Sequence, residues 1–145
     1  MSNVTTYLAV HDANAALEFY TRAFGAHEQY RMANDRGGIG HAELRIGDTT
    51  LMLSDEYPEL GAVSPRTLGG SCVALVLEVD DVDEAWRTAV EAGAMVDRPI
   101  VEAPYGRGGW LRDPFGIRWC VARHDRDVSD EEILAAVAEW AAAQG

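Results

Sequence analysis

The chain has 145 residues, 48% of them apolar, which suits one ordinary domain or two small halves sharing a core. A formal charge of −12 sets it against nucleic acid, whose phosphates it would repel, and no apolar run is long enough to cross a bilayer. Two cysteines, Cys72 and Cys120, are too few for a disulfide framework and lack zinc-ligand spacing. The opening Met1-Ser2-Asn3-Val4 carries no signal-peptide pattern, so a cytoplasmic protein is expected, with no membrane partner.

In chain order, residues 4–10 alternate as a strand. Asp12 is placed to cap a helix in which Ala16, Phe19, Tyr20 and Ala23 recur at helical spacing, and Gly25 ends it. Strands are expected at 27–32, 40–46 and 50–54, separated by turns at Asp35-Arg36-Gly37-Gly38 and Gly47-Asp48. A segment rich in Pro, Gly and Ser, residues 55–71, reads as a linker. A strand at 72–79 leads to Asp81 and Glu84, a capping-box-like start for a helix carrying Val82, Ala85, Trp86, Ala89 and Val90, closed by Gly93. Strands at 95–101, 109–112 and 117–122 follow, the last two flanking Asp113-Pro114-Phe115-Gly116. Tyr105-Gly106-Arg107-Gly108-Gly109 reads as a loop at the mouth of a cavity. It lacks both the Lys-Ser/Thr ending and the strand-to-helix setting of a phosphate loop. Ser129 and Glu132 form a capping box for a final helix over 128–143, with Ile133, Leu134, Val137 and Trp140 along one side.

The two halves repeat one another. VHDANAALEFYTRAFGA and VDDVDEAWRTAVEAGA share the strand-end valine, the aspartate cap and the closing Gly-Ala, in the same order. The fold predicted is α+β: a single domain over 1–145 made of two βαβββ modules, 4–54 and 72–124, followed by the final helix.

Two such units in tandem, with DPFG before the last strand, resemble the vicinal-oxygen-chelate superfamily. YLAVHDANAALEFYTRAFGA, IGHAELRIGDTTLMLSDEYPE and RDPFGIRWCVA are most similar to its PhnB-like, glyoxalase/bleomycin-resistance group. The resemblance implies modules that curl four strands around a cavity, and a homodimer that often completes the cavity. It also implies a divalent ion held by His and Glu. Carried over by motif, the four ligand positions fall on Thr5, Met52, Ala74 and Cys120, none of them His, Asp or Glu. No metal and no other cofactor is therefore expected. His41 and Glu43, two apart on one strand, leave open an ion site completed by a third group.

Strand alternation puts Thr5, Tyr7, His41, Glu43, Thr50, Met52 and Ser54 on the cavity side of the first module. The second adds Cys72, Ala74, Tyr105, Trp110 or its neighbour, and Cys120, with Arg107 at the lip, while Trp119 faces the helices. Such an apolar, aromatic and thioether lining suits a hydrophobic, aromatic small-molecule ligand. Cys120 reads as a small wall residue; a nucleophilic role would need a base, for which only His41 offers. Three functions remain open. One is metal-independent binding of such a guest, as in drug sequestration or antibiotic resistance. Another is an enzyme of the same fold, of lyase, isomerase or dioxygenase type, using a non-standard metal site or His41/Glu43 acid-base chemistry. The last is an interaction protein using its acidic surface and final helix.

Overall fold

The computed structural model describes residues 1–125 and 127–145. The first module runs β1 (Thr6–Val10), α1 (Ala13–Phe24), β2 (His27–Ala33), β3 (Ile39–Ile46) and β4 (Thr49–Asp55). A short 3-10 turn at Pro58–Leu60 and a one-turn helix, α2 (Pro65–Leu68), occupy the segment expected to be a plain linker. The second module runs β5 (Ala74–Glu78), α3 (Val82–Ala92), β6 (Met95–Ala103), β7 (Gly106–Arg112) and β8 (Arg118–His124), and α4 (Asp130–Gln144) follows.

Both sheets have the same order, β1-β4-β3-β2 and β5-β8-β7-β6, with the outer first strand parallel to its neighbour and the rest antiparallel. The duplication read from the sequence is thus a duplication of topology. Capping follows the sequence closely. The Asp12 carboxylate accepts from Ala15 N, Asp81 from Glu84 N, and Ser129 with Glu132 closes a full capping box on α4. Gly25 takes the left-handed conformation that ends α1.

One face of each sheet is core. Leu8, Val10, Ala42, Leu44, Leu51 and Leu53 bury against Ala16, Phe19, Tyr20 and Ala23 of α1. Leu111, Trp119 and Val121 do the same for the second sheet, with Val82 and Ala89 of α3. The helices pack on each other, and Phe24 of α1 touches Trp119 of β8 with ring centroids 4.4 Å apart, so the two modules share one core through their helical faces. The opposite face of each sheet consequently points outward. The single hollow expected to be lined by both modules is not formed within one chain.

Two strand assignments change. Gly106–Arg112 is continuous strand, although its glycines read as a loop. A Cβ on Gly106 would lie 2.2 Å from Arg123 O, and one on Gly108 would lie 2.9 Å from the Ala122 Cβ. Glycine is there because β8 approaches closely, not because the chain turns. Strand β5 begins at Ala74, leaving Cys72 exposed ahead of it and outside the cavity under α4.

Candidate functional site

The outward face of the first sheet gathers Tyr7, His41, Glu43 and Met52. Tyr7 pairs in register with Met52, and Met52 with Glu43; Tyr30 and Met32 of β2 stand opposite Glu43 and His41. The Tyr7 hydroxyl lies 2.8 Å from His41 Nδ1, and His41 Nε2 lies 3.1 Å from Glu43 Oε1. One tautomer satisfies both contacts: Nε2–H donates to the carboxylate while Nδ1 accepts from the phenol. Tyr7 and Tyr30 remain half exposed beside the imidazole, with centroids 5.5 and 6.2 Å away. This phenol–imidazole–carboxylate chain could relay a proton to a guest lying on the face. Ser54, expected to join the wall, is only 3% exposed, and its hydroxyl donates to the Asp55 carbonyl. It is closed to a guest.

The outward face of the second sheet is organised in cross-strand rows. One runs Arg98–Trp110–Cys120–Val76, and the next runs Val101–Gly108–Ala122–Glu78. Gly109 looks the other way: a methyl added to it would meet the Trp86 ring of α3 at 2.6 Å, which fixes its neighbour Trp110 on the outer face. Over these rows stands α4. Between sheet and helix lies a cavity of about 800 Å³, walled by Tyr105, Trp110, Cys120, Val137 and Trp140, with Arg98 at its edge. No first-sheet residue lines it. The size falls within the usual range for a small-molecule site.

Charge is held in specific places around this cavity. The Arg118 guanidinium lies over the Trp110 ring, 4.6 Å from its centroid, and donates to Asp97, which also accepts from Arg112. Partial burial pushes the Asp97 carboxyl up, but hydrogen bonds from Arg118 and Arg112 outweigh it and leave the group below its ordinary value. Arg107, expected at the lip and free to touch a ligand, is instead committed to Asp83 of α3 and to Glu102. Cys120 faces the cavity, and burial pushes its thiol above the ordinary value. His41 is on the other sheet with both ring nitrogens engaged, so no Cys–His pair forms. Cys120 is a wall residue with no hydrogen-bonded base among the described residues to activate it.

The positions at which a divalent ion would be expected do not suit one. Met52 faces outward on the first sheet, while Ala74 and Cys120 belong to the second and Thr5 precedes β1. A hydroxyl, a thioether, a methyl and a protonated thiol are not a donor set for a hard or borderline cation. His41 and Glu43 gain no third ligand: among the described residues no group of three or more His, Cys, Asp or Glu is arranged to hold a metal.

Arg98, Val137 and Trp140 are site residues missed by sequence reasoning. Trp140 stood on the apolar side of the last helix, but nothing local told which sheet that side would cover. Arg98 lies in a strand whose register shifts on both sides of it, next to Pro99, so alternation could not assign its face. A second hollow, about 890 Å³, opens at the seam between modules. Its rings, Phe24 and Trp119, already pack against each other at a tilt, and its Asp81 is the cap of α3.

No helix among the described residues is long and apolar enough to cross a membrane. A model of the Glyoxalase/Bleomycin resistance protein/Dioxygenase superfamily matches residues 3–121. Protein Rv0887c of Mycobacterium tuberculosis is 38% identical over 138 residues, covering 92% of this chain and 81% of its own. Among solved structures, TioX from Micromonospora sp. ML1 superposes with a TM-score of 0.65 at 27% identity, covering 88% of this chain and all of that one, 100%. The bleomycin resistance determinant encoded on transposon Tn5 gives a TM-score of 0.62 at 21% identity over 86% of this chain and 99% of its own, a likeness of fold alone.

Proposed function

From the premise that the chain belongs to the glyoxalase/bleomycin resistance protein/dioxygenase superfamily, we propose that it binds a hydrophobic, aromatic small molecule in a sheet-lined cavity without a metal ion. The observation that carries this reading is the hollow between the second sheet and α4, with Trp110, Tyr105 and Trp140 around it. Aromatic walls bring stacking worth roughly 0.5–1.5 kcal/mol per ring pair beyond area burial. Sequestration of a drug or other toxic aromatic compound in the cytoplasm follows naturally from binding without turnover, and a resistance protein shares the fold.

The ligand set on this reading is Trp110, Tyr105 and Cys120, joined by Trp140 and Val137 of α4. Tyr7, His41, Glu43 and Met52 form a second face on the first sheet. That face leaves Tyr7, Tyr30 and Met32 half exposed together, and a second copy of the chain is the proposed cover. Light scattering on purified protein should then report a homodimer; a monomer at micromolar concentration would reject that part.

Binding is tested with 2-naphthylmethanol, an uncharged planar probe, followed by tryptophan fluorescence before and after treatment with a chelator. Saturable quenching that survives the chelator, and weakens in Trp110→Ala, supports the reading. Quenching that appears only when a divalent ion is added back defeats it. A second reading is favoured by the Tyr7–His41–Glu43 chain, whose geometry suits acid-base catalysis on a guest at the first sheet. It requires that native mass spectrometry of protein from its own cell find a converted guest, and that conversion be lost in Glu43→Gln.

A further inference from the structure

The second sheet's outward face carries charges of both signs. In a chain of formal charge −12, Arg98, Arg112 and Arg118 share this face with Glu78, and Arg123, Glu102 and Glu139 also line its cavity. Most of these are answered locally. Arg112 and Arg118 share Asp97, and Arg123 reaches Glu102 and Asp125. Arg98 is different. Among the described residues its side chain has no hydrogen-bond or ion-pair partner, and it lines the cavity under α4.

The floor beside it is flat. Arg98 is the register partner of Trp110, and Trp110 is fixed by the Arg118 guanidinium on its ring. In the next row Gly108 lies against Ala122, so close that a methyl at 108 would sit 2.9 Å from the Ala122 Cβ. Between Val101 and Glu78 at its ends, the middle of that row, Gly108 and Ala122, offers a guest bare backbone and one methyl. Val137 and Trp140 of α4 stand above. A flat ring fits between such a floor and such a roof. A guanidinium at the margin offers a planar, always-charged fork, which matches a carboxylate in two parallel hydrogen bonds.

We propose that this cavity selects planar aromatic acids, holding the ring between the Gly108–Ala122 floor and Trp140 and the carboxylate on Arg98. The inference rests on the binding reading above and adds the charge of the guest to it. Arg98 is then the residue that sets specificity: an uncharged ring of the same shape leaves its guanidinium unmatched.

The test compares 2-naphthoate with 2-naphthylmethanol, which share ring and shape and differ in charge, by tryptophan quenching and calorimetry at low salt. The acid should bind about tenfold more tightly, the usual advantage of a hydrogen bond to a charged group. Arg98→Gln should remove the acid's advantage over the alcohol, while Arg98→Lys should restore part of the preference. Circular dichroism confirms that each variant is folded. Equal affinity for acid and alcohol in the native chain overturns the proposal, as does an Arg98→Gln variant that weakens both alike. Binding of the alcohol alone overturns the charge selection but leaves the binding reading standing. Failure of both probes overturns the two together.

Discussion

Tyr20 Oη donates to Asp113 Oδ2 across 2.6 Å, joining α1 of the first module to the turn before the last strand of the second. The same oxygen accepts from Trp119 Nε1 at 2.9 Å, while Oδ1 accepts from the backbone of Phe115 and Ile117 at 2.9 and 3.0 Å. One buried carboxylate therefore shapes its own turn and ties the two halves together. Tyr20→Phe removes one charge-assisted bond from a buried group and should cost roughly 1.5–3 kcal/mol in urea unfolding. Asp113→Ala leaves a phenol, an indole and two amides without a partner, and should cost about twice as much or more. A Tyr20→Phe chain as stable as the native one would mean the link is not structural.

The same aspartate gives stability a pH signature. Burial raises the Asp113 carboxyl above its ordinary value of 3.8, outweighing the hydrogen bonds from Tyr20, Trp119, Ile117 and Phe115 that favour its charged form. Between 3.8 and the raised native value the folded chain binds more protons here than the unfolded chain. Its contribution therefore grows as pH falls through the native value and is complete below the unfolded one. Carboxyls held low, such as Asp83 beside Arg107, behave oppositely, losing their contribution as pH falls. Because those groups are common to both proteins, comparison with Asp113→Asn isolates Asp113. The native chain should gain on the variant as the buffer is acidified toward about pH 4. A difference that stays flat, or narrows, would contradict this.

What was legible in the sequence was local. Asp12, Asp81 and Ser129 cap helices because a short polar side chain can meet an orphan amide three residues on, and that signal sits within one turn. The burial of Ala42, Leu44 and Trp119 followed from strand alternation against amphipathic helices. Gly106–Arg112 was illegible for the opposite reason. Its glycines answer to Ala122 and Arg123 of a neighbouring strand, a tertiary demand that overrides weak strand propensity. In the same way nothing near Pro65 announces that it buries under Gly116, where an added methyl would meet its ring at 2.8 Å. The site suffered most: alternation turns Tyr7 and Cys120 toward one shared cavity, but only the packing of α1 on α3 decides that those faces point outward and do not meet in one chain.

Cys120 and Cys72 should separate cleanly under alkylation. Cys72 is exposed ahead of β5, while Cys120 is partly buried on the cavity wall with its thiol pushed up by that burial. The thiolate is the reactive form, so at neutral pH iodoacetamide should label Cys72 first, with Cys120 slower by about tenfold or more. Saturating 2-naphthylmethanol should slow Cys120 further and leave Cys72 unchanged, as read by peptide mass spectrometry. Faster labelling of Cys120 would indicate an activated thiol and remove the wall assignment.

Gly106 tests the close approach of β7 to β8. Its φ of +152° is one that side chains rarely adopt, and a methyl there would lie 2.2 Å from a backbone carbonyl, which cannot swing aside as a side chain could. Gly106→Ala should therefore lose more than about 2 kcal/mol in denaturant unfolding. Gly108→Ala meets mainly a methyl and a carbonyl at 2.9 and 3.0 Å, so a shift of the strand can relieve it at lower cost. Its larger effect should fall on probe binding, because it raises the cavity floor.

The final helix separates stability from binding. No residue of α4 is buried, and Trp140 remains 63% exposed, so the helix adds little apolar burial to the core. Yet Val137 and Trp140 form the roof of the cavity. Ending the chain after His124 should lower the unfolding midpoint only slightly, since both sheets, both long inner helices and the Tyr20–Asp113 link are kept. The same truncation should weaken 2-naphthylmethanol binding at least about fivefold, because the ring then has a floor and no cover, on the order of 1 kcal/mol of lost stacking. Trp140→Ala in the full chain should reproduce most of that loss with no change in the unfolding curve. If instead the truncated chain unfolds at much lower denaturant, α4 belongs to the core; if it binds the probe as tightly as the full chain, the guest lies elsewhere, and the first-sheet face around Tyr7 and His41 becomes the place to look.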